Sequence, residues 1–252
     1  MAALREPIAS PTLVAWRTRH LVGIMLAAGL LLLGLTILAE QSGPNAVDLT
    51  ATLWLQQFTA PWFATLMYVV SWPGFPPQSW VMPLVVAAPF ALRGMWVEAL
   101  WLLGTQVASL VDTVLKQVVH RPRPSHDLVG VLAPLTDPSF PSGHVVQYTA
   151  LFGFAFFLIY VLAERSTFRT IALVLLAVPM VLVGPSRLYL GQHWLSDVLG
   201  GYALAVLFLV PYCWAYAKWR LERGRHHWGS RKPRRLRETG RTRAHRSPSV
   251  TL

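Results

Sequence analysis

Six apolar runs constrain this chain more than any other feature. They cover roughly residues 21–39, 78–92, 95–118, 145–163, 168–184 and 195–217. About 20 apolar residues in a helix cross the hydrocarbon of a bilayer. Runs of this length and number predict an all-α integral membrane bundle of about six transmembrane helices. Only 13% of the residues are charged and 54% are hydrophobic, against roughly 25% charged in a soluble domain. Water is therefore not the main solvent of this chain. Arg5, Arg17 and Arg19 precede the first run in the manner of a signal peptide, but the run is too long for one and no small-x-small site follows it. It reads as an uncleaved first span. The single cysteine, Cys213, can form no internal disulfide.

Orientation follows from Lys and Arg in the short loops. Arg5, Arg17 and Arg19, Arg93, Arg165 and Arg169, and the C-terminal region fall on one side, which reads as the cytoplasm with both termini in it. The other side receives residues 40–77, 119–144 and 185–194. Arg121, Arg123 and Arg187 stand there against the positive-inside pattern, as if function kept them. Residues 48–72 are apolar and aromatic but contain Gln56, Gln57 and Pro61, so an interfacial helix is expected rather than a seventh span. Three parts result: a cytoplasmic segment 1–20, a membrane-embedded domain 21–217, and a basic tail 218–252. The tail holds twelve Lys and Arg against two Glu and is expected to be disordered. It reads as a topology determinant; its charge lacks the folded context of a nucleic-acid site, and no nucleic-acid partner is expected. The expected partner is the lipid bilayer.

Three stretches at the ends of apolar runs carry the chemistry. In KQVVHRPRP, Lys116 and Arg123 offer a mobile point charge and a planar fork, the two cation types that bind a phosphoryl group. Pro122 and Pro124 end the helix and stiffen the turn. In PSGH, Ser142 supplies a hydroxyl, Gly143 a close backbone approach at a helix N-terminus, and His144 a proton carrier near neutral pH. In SRLYLGQHWLSD, His193 and Asp197 lie four apart on one helical face, and Arg187 precedes them. An Asp so placed can fix the tautomer of the imidazole and leave the other nitrogen free to act as a nucleophile.

Each stretch alone has an ordinary explanation. Lys116, Arg121 and Arg123 could snorkel at the interface; Asp112, one turn before Lys116, could form a structural ion pair; PSGH could be a helix cap; His193 and Asp197 could be a surface hydrogen bond. The last of these weakens once all three stretches fall on the same side. His144, His193 and Asp197 could be metal ligands, with His120 and His126 nearby, but the neighbouring cations would repel a metal and no HxxxH or HExxH spacing occurs. His120 and His126 read as loop residues.

The three stretches match the K-x6-R-P, P-S-G-H and S-R-x5-H-x3-D motifs at every position, and on them the chain resembles the type 2 phosphatidic acid phosphatase superfamily, which includes undecaprenyl-diphosphatase-like membrane lipid phosphatases. The resemblance implies an enzyme without metal or other cofactor. It implies that His193 attacks phosphorus to form a phosphohistidine, that Asp197 orients it, and that His144 protonates the leaving oxygen. Lys116, Arg123, Ser142, Gly143 and Arg187 would hold the phosphoryl oxygens. The substrate would be a membrane lipid phosphate or isoprenyl diphosphate; in a bacterium, undecaprenyl diphosphate and phosphatidylglycerol phosphate are candidates. The rival expectations are a phosphotransferase on the same scaffold, a vanadate-dependent haloperoxidase, against which the apolar runs argue, and a non-catalytic anion-binding membrane protein.

Overall fold

The structure, a computed structural model, describes residues 11–41, 43–132 and 134–229. Among these the chain is helical throughout: α1 (Pro11–Glu40), α2 (Ala46–Gln56), α3 (Pro61–Ser71), α4 (Gln78–Leu92), α5 (Trp96–Gly104), α6 (Val107–Val119), α7 (Gly143–Leu162), α8 (Thr167–Tyr189) and α9 (Leu195–Gly229), with a 3-10 turn at Trp72–Gly74. Five stretches are long and apolar enough to cross a membrane: His20–Glu40, Trp96–Val119, α7, α8 and Leu195–Arg223; α4 is a shorter apolar helix. The six expected runs recur. The third is interrupted at Thr105, whose hydroxyl donates to the Leu102 carbonyl at 2.6 Å, a local bond that competes with the helical ladder.

The core is built on α7. Its apolar window is 67% buried, against 33% or less in the other spans. It packs against α8, α6, α5 and α4. It also meets α9 closely: a Cβ on Gly201 would stand 2.9 Å from the Ser142 carbonyl, so a small residue there lets the two backbones approach. Deeper, Trp101, Phe154, Tyr212 and Tyr216 meet edge to face. The Tyr212 hydroxyl donates to the Trp101 carbonyl at 2.6 Å and that of Tyr216 to Glu98 at 2.9 Å, so the cluster buries aromatic area without orphaning its polar tips. Outward, Leu30 and Leu33 of α1, Leu84 and Val85 of α4, and Val174 and Leu175 of α8 are exposed. Such a surface needs lipid around it.

The stretch expected to form one interfacial helix is two, α2 and α3, because Pro61 can begin a helix but not continue one. Among the described residues, those up to Tyr216 form one compact unit, and a second begins at Ala217. Helix continues beyond residue 217 to Gly229, where disorder was expected. Leu221, Glu222 and Arg223 are good helix formers, and the Arg223 guanidinium covers the Trp219 ring one turn earlier, at 4.7 Å. The rest of the tail, 230–252, and residues 1–10 lie outside the described residues.

Candidate active site

The turn after α6 is where sequence becomes geometry. His120 closes the helix in the left-handed conformation (φ 48°), with its N–H on the Lys116 carbonyl. Arg121 and Arg123 each precede a proline and are thereby held extended. Residues two apart on an extended chain share a face. Both arginines accordingly turn inward toward residues 192–197, while Pro122 between them is exposed. Neither arginine snorkels: Arg121 is 1% exposed and Arg123 is largely covered.

Arg123 meets His193. Its Nη1 lies 3.1 Å from Nε2 of His193 and donates to the Gln192 carbonyl at 2.7 Å. A guanidinium only donates, so Nε2 must be the acceptor and the proton of the neutral imidazole sits on Nδ1. The unprotonated Nε2 thus faces the cation cluster. Burial, then the charges of Arg123, Arg187 and Lys116, hold the His193 pKa well below the usual 6.5, so the ring is neutral at neutral pH. The same cluster contains Asp137, which the sequence did not single out. Its carboxylate receives Lys116 Nζ at 2.8 Å and Arg123 Nη2 at 2.8 Å, and its carbonyl receives Arg123 Nε at 2.7 Å. Asp112 stands 3.8 Å from Lys116, the ion pair that helical spacing suggested.

Asp197 is placed differently from the expectation. Its Oδ2 lies 3.6 Å from His193 Nδ1, too far for a hydrogen bond, because the carboxylate is already engaged. Oδ2 accepts from the Ser139 hydroxyl and the Trp194 N–H, and Oδ1 from Arg121. Arg121 also pairs with Asp48 at 2.8 Å, and Asp48 accepts from the N–H and hydroxyl of Ser196. All of these groups are buried. Asp197 therefore faces Nδ1 as a carboxylate fixed by three other residues, a geometry that can tighten when substrate binds.

The second motif closes the site. Ser142 caps α7 without making a capping bond, and its buried Oγ has no partner. Its N–H donates to the Asp197 carbonyl at 3.0 Å, joining the second and third motifs. A Cβ on Gly143 would stand 2.8 Å from Asp112 Oδ2 and 3.5 Å from Lys116 Nζ, joining the second to the first. Gly143→Ala should push the Asp112 carboxylate, the helical partner of Lys116, from its place and lower kcat/KM by about 10²-fold, the cost of misplacement on the order of 1 Å; steady-state hydrolysis checks this. Arg187, on the last turn of α8 rather than in a loop, donates to Ser71 at 2.9 Å and covers the Phe75 ring at 5.2 Å; His144 meets the same ring edge-on at 4.8 Å. Buried Nε and Nη2 of Arg187 and Nε2 of His144 have no partner. His120 and His126 are exposed in the loop. Among the described residues no three of His, Cys, Asp or Glu gather as a metal site.

The structure thus brings all eight expected residues into one region, with unpartnered donors that an oxyanion would satisfy. Residues 97–221, which contain all three motifs, match the sequence model of the PAP2 superfamily. Phosphatidylglycerophosphatase B of Bacillus subtilis (strain 168) is 35% identical over 181 residues, 68% of this chain and 83% of that protein. The chain belongs to the PAP2 superfamily. This PAP2 protein is also 35% identical over 105 residues to decaprenylphosphoryl-5-phosphoribose phosphatase of Mycobacterium tuberculosis, spanning 40% of the chain and 51% of that protein. Its fold matches the crystal structure of a transmembrane PAP2-type phosphatidylglycerolphosphate phosphatase from Bacillus subtilis with a TM-score of 0.63 and 28% identity, covering 77% of this chain and 96% of that one. Aquifex aeolicus LpxE shares the fold at a TM-score of 0.52 and 22% identity, covering 68% of this chain and 97% of that one. The PAP2 chain is a multi-pass membrane protein and a hydrolase of the phosphatase type.

Proposed function

We propose that this protein removes a phosphoryl group from a membrane lipid phosphate or isoprenyl diphosphate through a phosphohistidine on His193, at the extracytoplasmic face. The observation that carries this reading is the unprotonated Nε2 of a neutral, buried His193 aimed at Arg123. In the first step Nε2 attacks phosphorus, the bond to the leaving oxygen breaks, and His144 gives that oxygen a proton. In the second a water attacks the phosphohistidine, His144 takes its proton, and inorganic phosphate leaves. Asp197 stabilises the imidazolium character that develops at Nδ1. Lys116, Arg123, Arg187, the Ser142 hydroxyl and the α7 N-terminus beginning at Gly143 neutralise the equatorial oxygens, which need no metal to do so. The loop distribution of Lys and Arg supports the outward face and cytoplasmic termini. The names of the relatives favour phosphatidylglycerol phosphate and polyprenyl phosphates as first substrates to try.

The test is phosphate release by the purified chain, in chelator, from phosphatidylglycerol phosphate, undecaprenyl diphosphate and phosphatidic acid. Free phosphate from at least one lipid supports hydrolysis; a phosphorylated acceptor in its place would point to transfer. The pH profile adds a second check. Because the His193 pKa is depressed, the neutral nucleophile persists as pH falls through 6.5 and is lost only lower. The acid limb of kcat/KM governed by His193 should therefore lie below the ordinary histidine value, and a limb above 6.5 would contradict the assignment.

A further inference from the structure

Lys116 and Arg123 are the cations best placed to receive phosphoryl oxygens, and both already hold an anion belonging to the chain. One Asp137 oxygen takes Lys116 Nζ and the other takes Arg123 Nη2, each at 2.8 Å. This is the bridging geometry a phosphate would adopt across the same two groups. Among the hydrogen bonds and ion pairs described for its carboxylate, every partner is one of these two cations. Its side chain is 51% exposed while those of Lys116 and Arg123 are only 11% and 10% exposed, so the anion sits at the mouth and the cations beneath it. Partial burial would raise the Asp137 pKa, but the hydrogen bond and charge of Lys116, then Arg123, hold it below its ordinary value. The carboxylate is therefore charged across the working range.

We propose that Asp137 occupies the phosphoryl position of the free enzyme and must swing out when a phosphate ester enters. The inference rests on the reading of this site as a phosphoryl cradle. Displacement weakens every incoming anion by a common factor, because the same carboxylate leaves whichever ligand arrives. Phosphate in solution then fails to jam the site and the product phosphate leaves readily. A lipid substrate, concentrated in the bilayer and held by its tail, overcomes the same factor. Asp137 thus sets a threshold that every incoming anion must exceed, and a membrane-held ester exceeds it through its tail.

The test uses the full chain in detergent micelles with a phosphorylated lipid substrate. Inhibition constants are measured at pH 8 for inorganic phosphate, mainly a dianion, and dimethyl phosphate, a monoanion. In Asp137→Asn both constants should fall by about tenfold, as expected for two partly screened ion pairs, and by the same factor. Asp137→Glu, which keeps a carboxylate, should stay within about twofold of the wild type on the same scale. Asp137→Ser repeats the removal should the Asn variant fail to fold. Unchanged or higher constants in an active Asn or Ser variant would overturn the inference. So would a gain confined to, or larger for, the dianion, since a carboxylate that stays put repels in proportion to ligand charge. A wild-type chain that releases phosphate and is inhibited by it, with neutral variants unaltered, leaves the phosphatase reading intact and sinks this inference alone. A wild-type chain that neither hydrolyses phosphate esters nor responds to phosphate sinks both.

Discussion

Replacing His193 with alanine should stop phosphate release, lowering kcat by at least about 10⁴-fold, the scale seen when a covalent nucleophile is removed. The substrate should still bind, because Lys116, Arg187 and the remaining Arg123 contacts do not depend on the ring: Arg123 keeps the backbone carbonyls of Gln192 and Asp137. An acid-labile phosphoprotein formed by the wild type on rapid quenching should be missing in this variant. His144→Ala should differ in kind. Loss of a general acid costs about 10²–10⁴-fold, and esters with good leaving groups should recover much of it, since they need no proton on departure. Wild-type turnover by His193→Ala would remove the phosphohistidine route, whatever the other variants do.

Arg121→Met should be the most destabilising change near the site. Arg121 bridges Asp48 and Asp197 with its own side chain fully buried, and its removal leaves two carboxylates facing each other without a counter-ion. Breaking a buried ion pair on one side costs about 3–5 kcal/mol. The expected result is a large fall in the midpoint of thermal unfolding in detergent, together with lost activity. Arg121→Lys should recover only part of either, since an ammonium cannot reproduce the fork that reaches both carboxylates. Adding Asp48→Asn to Arg121→Met should restore some stability by removing one uncompensated charge. A melting midpoint equal to that of the wild type would mean that the network is not what holds Asp197.

The fold was legible because lipid imposes it: long apolar runs admit few outcomes in a bilayer, and α1, α7, α8 and α9 lie where the runs predicted. The site was legible where its residues are neighbours in the chain or one helical turn apart, as with Asp112 and Lys116. What escaped were partners far apart in sequence. Asp137, in the loop between the first two motifs, has no periodicity or spacing to mark it. Asp48 lies near the start of α2 and looks like an ordinary first-turn carboxylate; only the folded chain shows it meeting Arg121 and Ser196. The contact between His193 and Asp197 shows the converse failure. Four-residue spacing put them on one face, but it could not reveal that Ser139, Trp194 and Arg121 had already taken the lone pairs of Asp197. Helix beyond residue 217 was missed because a stretch with almost no aliphatic residues offers no apolar face to signal one.

Two of the residues that fix the site lie outside the region that carries the motifs. Asp48 in α2 neutralises Arg121, and Ser71 at the end of α3 receives Arg187. A fragment trimmed to residues 97–221 would keep every motif residue and lose both anchors. Its arginines would be free to turn elsewhere, and a shortened chain of that kind should fail as an enzyme even though its signature reads complete.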